Sequence, residues 1–312
     1  MNGLELSRKY YTEHGLPALQ ETYPELLGRL AIGLVGDGSE CLGFDDELSH
    51  DHDFEPGFCL WLTRADYETH GFALERLYAR LPKVFEGFSR QPLSPVGGNR
   101  HGVLILEDFY QKYLGAPTAP TSLEHWLYLP SASLAVASGG EVFYDGLGVF
   151  SDIRSVLLAG YPEDVRRKKL AAHAVMLSQT GLYNYPRCVK RGELGAAQLC
   201  VHEFVKHAIS TVYLLNDRYE PFYKWAYRGM RDLPRLASLE DPLVALSTMG
   251  NAPEESRAKS ESMEEICALF TEHFADLGLS DAKDKDIEHH ARSLQDGIRD
   301  TTLRNMHIMA GI

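Results

Sequence analysis

Short apolar runs in the first half of the chain predict strands, whereas the second half has helical spacing almost throughout. Runs bounded by glycine or polar residues predict strands at 31–35, 102–106 and 141–144. Residues 51–62 continue this pattern, with a break near Pro56. From residue 151 onward the periodicity is helical. The pattern therefore predicts an α+β fold, in which an N-terminal mixed sheet with flanking helices (1–150) precedes a C-terminal all-helical bundle (151–312).

The helical half carries three further patterns whose placement the sequence predicts. The basic run 166–169 lies near a predicted helix start, and we expect it on a solvated face. The polar stretch 250–262 is expected to form a mobile loop. Tyr219, Tyr223 and Trp225 are expected in the core rather than as a platform on which a base stacks.

Composition narrows the class of protein further. The 312 residues carry a formal net charge of −13, which disfavours non-specific binding to nucleic acid or to anionic membranes. The five cysteines are odd in number and lack CxxC spacing, which is typical of reduced thiols. We find neither an apolar signal sequence at the N-terminus nor a membrane-length apolar run. We therefore expect a cytoplasmic protein without a membrane partner.

The residues that most directly suggest chemistry are Gly38-Ser39 and the Asp51-His52-Asp53 triplet. In a strand, residues two apart point to the same side, so Asp51 and Asp53 would present paired carboxylates. Such a pair repels unless a cation lies between its members, and Mg²⁺ prefers oxygen ligands of this kind. Gly38 allows a phosphate to approach the backbone closely, and Ser39 offers a hydroxyl and an N–H group. The sequence thus predicts a phosphate-binding turn beside a metal site.

Other interpretations of this stretch are open. Asp51 and Asp53 alone are also compatible with an exposed polar strand end, and Gly38-Ser39 with an ordinary turn. His50 and His52 alternate with the aspartates, so a mixed His/Asp metal site like that of phosphohydrolases is a further alternative. A GxxxxGK[ST] phosphate loop does not occur in the sequence, which excludes a Walker-type NTPase.

The Gly-Ser…Asp-x-Asp pattern within GDGSECLGFDDELSHDHDF resembles the nucleotidyltransferase superfamily, which includes DNA polymerase beta and kanamycin nucleotidyltransferase. The surrounding residues look like a bacterial branch labelled a domain of unknown function. Residues 141–145 are similar to the final catalytic-domain strand of the antitoxin-type members. Residues 215–225 are similar to a segment in the helical domain of drug-modifying members.

This resemblance implies that a helical bundle closes a cleft over two Mg²⁺ ions and a nucleoside triphosphate, with ATP as the expected substrate. It implies attack of an acceptor hydroxyl on the α-phosphorus with release of pyrophosphate. Asp51 and Asp53 would bind the metal. Glu107, or alternatively Asp145, would be a third catalytic carboxylate.

Basic residues are sparse in the sequence, so those in the predicted helical half are candidates for binding the triphosphate. We expect Arg187 and Lys224 to do so together with Gly38 and Ser39. The sequence leaves three alternatives for the acceptor: a small hydroxylated molecule, a protein side chain and an RNA end. The net negative charge of the protein disfavours nucleic acid. The alternatives are a non-catalytic nucleotide-binding or partner-binding module on the same fold, and an antitoxin-like protein that modifies another protein.

Overall fold

The computed structural model describes residues 1–50, 54–90 and 100–312. Its fold is α+β, as the sequence pattern predicts, with a small mixed sheet and many helices. The strands are β1 (Ala31–Leu34), β2 (Cys59–Leu62), β3 (Val84–Phe85), β4 (Phe88–Ser89), β5 (Gly102–Ile105) and β6 (Glu141–Asp145). The predicted strand at 51–62 is confirmed only for Cys59–Leu62, because 51–53 lie outside the described residues and 54–58 are not in a strand.

The α-helices account for most of the described chain, with shorter helical turns between them. In chain order they are α1 (Gly3–Tyr10), α2 (Leu16–Thr22), α3 (Ser39–Leu42), α4 (Arg64–Arg80), α5 (Leu106–Leu114), α6 (Leu123–Tyr128), α7 (Ser131–Ser138), α8 (Val149–Leu158), α9 (Glu163–Leu177), α10 (Tyr185–Lys190), α11 (Leu194–Leu215), α12 (Tyr223–Met230), α13 (Glu240–Thr248), α14 (Pro253–Asp276), α15 (Ile287–Asp296) and α16 (Thr301–Asn305). The other helical turns are π-helical at Tyr11–Gly15 and Ser178–Asn184, and 3₁₀ at Pro24–Arg29, Glu47–His50 and Ala237–Leu239.

The chain divides into two compact units. The first comprises Met1–Pro120 and Pro130–Ala159, and the second comprises Thr121–Leu129 and Gly160–Ile312. Functional domains at 1–150 and 151–312 stay a prediction.

The sheet of the first unit has the strand order β5-β2-β1-β6. Strand β1 is antiparallel to β2 and β6, while β2 and β5 are parallel, with Cys59 opposite Gly102. The carboxyl end of β1 therefore lies beside the amino ends of the other three strands. We call this the Gly38 end of the sheet, because Gly38 follows β1 there. The opposite end is where β2, β5 and β6 finish.

Aromatic side chains fill the core on the two faces of this sheet. Trp61 in β2 is fully buried, and its ring centroid lies 4.2 Å from that of Phe150 in α8 and 5.4 Å from that of Phe109 in α5. Phe58, just before β2, is also fully buried and packs edge-on against Tyr78 of α4 at 5.1 Å. Burial of such rings is a large share of the stabilisation of a small sheet, so β2 is held firmly on both faces.

Helices α9, α11, α14 and α15 contribute most of the core of the second unit. Helix α14 begins at Pro253, so the expected mobile loop at 250–262 is wrong over most of its length. Pro253 takes the first helical position, where proline is tolerated, and the Glu255 carboxylate accepts hydrogen bonds from the N–H groups of Gly250 (3.1 Å) and Ala252 (3.0 Å). Among the helices of the described residues, none is long and apolar enough to cross a bilayer.

Candidate functional site

The turn that follows β1 is shaped by two glycines. Gly36 and Gly38 both have φ near +137°, a backbone conformation that side-chain-bearing residues rarely adopt. Ser39 then starts the one-turn helix α3, which ends at Gly43 with φ +72°. The backbone of this turn therefore requires glycine at positions 36 and 38. Neither residue has a side chain that could cover the adjacent peptide groups.

Arg100 supports this turn by contacting two of its residues, Asp37 and Glu40. Its Nε donates a hydrogen bond to the carbonyl oxygen of Asp37 at 3.1 Å, and its Nη2 pairs with the carboxylate of Glu40. A Cβ on Gly38 would overlap Nη2 of Arg100 and both carboxylate oxygens of Glu40. Glu40 is buried, and its ion pair with Arg100 offsets part of the cost of removing the carboxylate from water. Neither Arg100 nor Glu40 is indicated by the sequence motif, because the two lie sixty positions apart.

Asp37 anchors the other side of the turn. Its Oδ2 accepts hydrogen bonds from Lys112 Nζ (2.8 Å) and Tyr113 Oη (2.7 Å) of α5. Burial on its own would raise the pKa of Asp37, but these two donors outweigh it and hold that pKa below its usual value. The same burial and the neighbouring Asp37 charge raise the pKa of Tyr113. Asp37 is therefore an ionised structural anchor.

Asp51, His52 and Asp53 lie outside the described residues, and the structure shows contacts of the nearby residues Ser49 and Phe54. Before them, Ser49 Oγ lies 3.3 Å from Ser39 Oγ. After them, Phe54 is buried and packs against Gly3, whose missing side chain also makes room for Glu40. Ser49 therefore contacts α3 directly, whereas Phe54 packs against Gly3 of α1, which in turn lies beside Glu40 of α3.

The oxygen ligands at the Gly38 end of the sheet suit a hard cation such as Mg²⁺ only if Asp51 and Asp53 are among them. Asp37 is paired with Lys112 and Glu40 with Arg100, while the Asp45 carboxylate accepts a hydrogen bond from the N–H of Gly3 at 2.7 Å. Within 1–50, 54–90 and 100–312, no group of three or more His, Cys, Asp or Glu side chains could hold a metal ion. A Mg²⁺ ion would thus depend on the two aspartates of the triplet, whose carboxylates suit it.

The structure does not bring Glu107 or Asp145 to the Gly38 end. Glu107 follows β5 at the opposite end, and its Oε2 accepts a hydrogen bond from the N–H of Arg64 at 2.9 Å. Asp145 ends β6 at that same opposite end, and its two carboxylate oxygens accept hydrogen bonds from the N–H groups of Gly148 (2.7 Å) and Ser151 (2.8 Å). Each carboxylate thus helps to satisfy backbone donors at the start of a helix.

Arg187 and Lys224 belong to the second unit, where both side chains are exposed. The Arg187 guanidinium lies 4.7 Å from the ring centroid of Tyr183, and Lys224 Nζ lies 5.4 Å from that of Trp225. Each cation therefore rests beside an aromatic ring while staying accessible to an anion. Their predicted role in nucleotide binding stays a prediction.

The basic run 166–169 is not a solvated face, so that expectation is wrong. Lys168 is fully buried, and its Nζ donates hydrogen bonds to Gln295 Oε1 (2.9 Å) and to the carbonyl oxygens of Met306 (3.1 Å) and His307 (2.8 Å). Burial lowers the pKa of Lys168 to about 8. Lys169 is also buried and binds the carbonyl oxygen of Gly311 at 2.9 Å. These lysines fix the C-terminal residues of the described chain.

A pair of buried histidines lies nearby in the second unit. His173 Nδ1 and His207 Nδ1 are 2.8 Å apart, so one ring donates a hydrogen bond and the other accepts it. Burial lowers the pKa of His207 to about 4 and that of His173 as well. Both rings are therefore neutral near pH 7, which suits a structural role.

The second unit also contains a cleft of about 870 Å³ between the start of α9, the middle and end of α15, and the segment that follows α14. Its lining carries both signs of charge. The carboxylate of Asp164 accepts hydrogen bonds from the N–H groups of Arg299 (3.1 Å) and Asp300 (2.8 Å), and Arg167 donates to the carbonyl oxygen of Leu279 at 2.7 Å. These charged groups hold the backbone, and the cleft does not select a ligand of one charge.

Comparison with known proteins gives a match to a family model. Residues 126–226, about a third of the chain, match a family model described as a domain of unknown function (DUF4037). The matched segment runs from α6 into α12 and includes Arg187 and Lys224, but not the Gly38 turn. No curated protein matches the chain, and no solved structure does so either.

Proposed function

We propose that this protein is a Mg²⁺-dependent nucleotidyltransferase that moves a nucleoside monophosphate from a nucleoside triphosphate to an acceptor hydroxyl. The observation that carries the proposal is the Gly38 turn. It follows the first strand of a mixed sheet. Ser49, just before the 51–53 triplet, contacts Ser39 of α3, and Phe54, just after it, packs against Gly3 of α1, which lies beside Glu40. A glycine-shaped turn would suit a magnesium-bound polyphosphate if Asp51 and Asp53 present their carboxylates beside it.

Asp51 and Asp53 would hold the metal, which supplies charge neutralisation on the phosphates and orients attacking and leaving oxygens in line. Ser39 would donate its hydroxyl and N–H to phosphate oxygens. Arg100 and Glu40 would keep the turn in its glycine-specific conformation. In the reaction the acceptor hydroxyl oxygen would form a bond to the α-phosphorus as the bond to the bridging β-phosphate oxygen breaks. Pyrophosphate would leave with the bonding electron pair, and the hydroxyl proton would pass to water.

Calorimetry with ATP, GTP, CTP and UTP, with and without Mg²⁺, tests the binding step. We expect Mg²⁺-dependent binding to the wild type and its loss in the double variant Asp51→Ala/Asp53→Ala. Ser39→Ala should weaken binding by about five- to twentyfold, as expected for loss of the one hydrogen bond that the hydroxyl donates, since alanine keeps the N–H group. Glu107→Gln serves as a matched carboxylate control at the opposite end of the sheet. Equal affinity of the double variant and the wild type would refute the proposal.

A non-catalytic nucleotide-binding module on the same fold is the second candidate. It is favoured by the places of Glu107 and Asp145, since neither supplies a third carboxylate at the Gly38 end. The two candidates differ in turnover. Incubation of the protein with cell extract and α-labelled ATP should move label to a small molecule, a protein or RNA if it is a transferase. Mg²⁺-dependent binding without any transfer of label would favour the module.

A further inference from the structure

The segment just before and at the start of α12 exposes two neighbouring aromatic rings. Phe222 is 51% exposed and Tyr223 is 76% exposed. Their ring centroids are 4.4 Å apart with an angle of 46° between the ring planes. We call these two residues the aromatic platform. The expectation that Tyr223 lies in the core is therefore wrong, because the buried side of α12 is formed by Ala226 and Met230 instead.

Positive charge accompanies the platform. Lys224 is the next residue and is exposed, and Arg218 lies four residues before Phe222 on the same segment and is also exposed. Within the part of the chain that the structure describes, neither Lys224 nor Arg218 is held in an ion pair. Along the chain, the platform is thus followed and preceded by exposed cations that no carboxylate of the described residues pairs with, and Lys224 Nζ lies beside the ring of Trp225. A ligand that fits it has a planar ring and a negative charge.

The size of the platform argues for a small ligand rather than a protein. A phenylalanine or tyrosine side chain covers about 150–250 Å² at most, and a stable protein interface needs about 800 Å² from each partner. One or two aromatic rings, by contrast, suffice to stack a nucleobase. The net charge of −13 disfavours a polyanionic strand compared with a single nucleotide.

We propose that Phe222 and Tyr223 bind the base of a free nucleotide by stacking, with Lys224 binding its phosphate. The inference concerns a separate site in the second unit and rests on the proposed function only for the class of ligand. It does not require a metal ion, because the ring faces and the lysine supply the binding. The two proposals can therefore fail separately: the Mg²⁺-dependent binding of ATP tests Asp51 and Asp53, whereas Mg²⁺-free binding of a nucleotide tests the platform.

The test is calorimetric titration of the full chain with AMP in the presence of EDTA. We expect the wild type to bind AMP, and Tyr223→Ala to weaken this binding by about 5- to 150-fold, the range for one stacked base. Tyr223→Phe keeps the ring and should bind nearly as the wild type does. Ribose 5-phosphate, which lacks the base, should bind more weakly than AMP. Thermal melting verifies that the Tyr223 variants are folded.

Phe72→Ala is the matched control. Phe72 is 72% exposed on α4, with the Arg76 guanidinium 5.9 Å from its ring centroid, so it is another exposed ring beside a cation. Its loss should leave AMP binding unchanged. Three results would each overturn the inference. The wild type could fail to bind AMP without Mg²⁺, Tyr223→Ala could bind AMP as tightly as the wild type does, or tetra-adenylate could bind more tightly than AMP. A wild-type dimer that Tyr223→Ala dissociates would overturn it in favour of a second copy of the chain.

Discussion

Replacement of Gly38 by alanine tests the geometry on which the candidate site depends. Gly38 has φ +137° and ψ 148°, a region that glycine alone adopts readily. The added methyl would also overlap the Arg100 guanidinium and the Glu40 carboxylate. Those two groups are the ends of flexible side chains, so the overlap can be relieved. Relief, however, separates the guanidinium from a buried carboxylate.

The expected loss of stability has two parts. The backbone strain costs about 1–3 kcal/mol for a non-glycine residue in this region. Separation of Arg100 from Glu40 adds about 1–2 kcal/mol, less than for a fully buried pair because the Arg100 side chain is 25% exposed and that of Glu40 10%. Gly38→Ala should therefore lower the free energy of unfolding by about 2–5 kcal/mol.

Two other glycines of the first unit provide matched controls for urea denaturation. Gly43 has φ +72°, and an added methyl there would meet no atom within 4 Å, so Gly43→Ala should cost only about 1 kcal/mol of backbone strain. Gly28 has neither a positive φ nor a neighbour within 4 Å, so Gly28→Ala should be close to neutral. If Gly38→Ala loses no more stability than Gly43→Ala, the role that we assign to the Arg100–Glu40 pair is refuted.

Three other substitutions give distinct outcomes. Lys168→Met removes a lysine whose pKa in the folded protein is about 8, below its ordinary value of 10.5. The stability of the wild type relative to this variant, measured by urea denaturation, should therefore rise by about 3 kcal/mol between about pH 8 and 10.5. Parallel pH profiles of the two proteins would contradict this. Asp145→Asn should lower the free energy of unfolding by about 1 kcal/mol, since it loses one acceptor, while calorimetry should show unchanged nucleotide binding. Lys112→Met should raise the pKa of Asp37, measured by carbon NMR of its carboxyl group, and an unchanged pKa would show that the ion pair does not hold the charge.

The strands of the four-stranded sheet were accessible to sequence reasoning because each contains a short apolar run bounded by glycine or polar residues, whereas the two-residue strands β3 and β4 were not predicted. The run at 31–35 is strand β1 except for its last residue, and that at 102–106 is β5 except for Leu106, which starts α5. The order β5-β2-β1-β6 was not accessible, because it depends on pairings between residues far apart in the chain. The strand directions were not accessible either, and the antiparallel pairing of β1 with β2 beside the parallel pairing of β2 with β5 puts Glu107 and Gly38 at opposite ends of the sheet.

The helical half was harder to predict wherever polar side chains are buried. Lys259 is fully buried in α14, where its Nζ binds Gln198 Oε1 (3.0 Å) and Asn251 Oδ1 (3.1 Å). Lys168 finds its acceptors more than a hundred residues later in the chain. A lysine is ordinarily a surface residue, and only its distant partners make such burial possible. The sequence signal that was available for α14 is Pro253 followed by glutamates in the first turn.

The charges around the Gly38 turn explain why magnesium dependence is the most decisive property to measure. A triphosphate carries several negative charges, yet the two cations that contact this turn, Arg100 and Lys112, are each paired with a carboxylate. The described part of the turn therefore offers hydrogen-bond donors but little net positive charge. A divalent ion on Asp51 and Asp53 would supply what is missing. Tight nucleotide binding at the turn without Mg²⁺ would mean that another source of positive charge is used, and the two aspartates would then have no part in it.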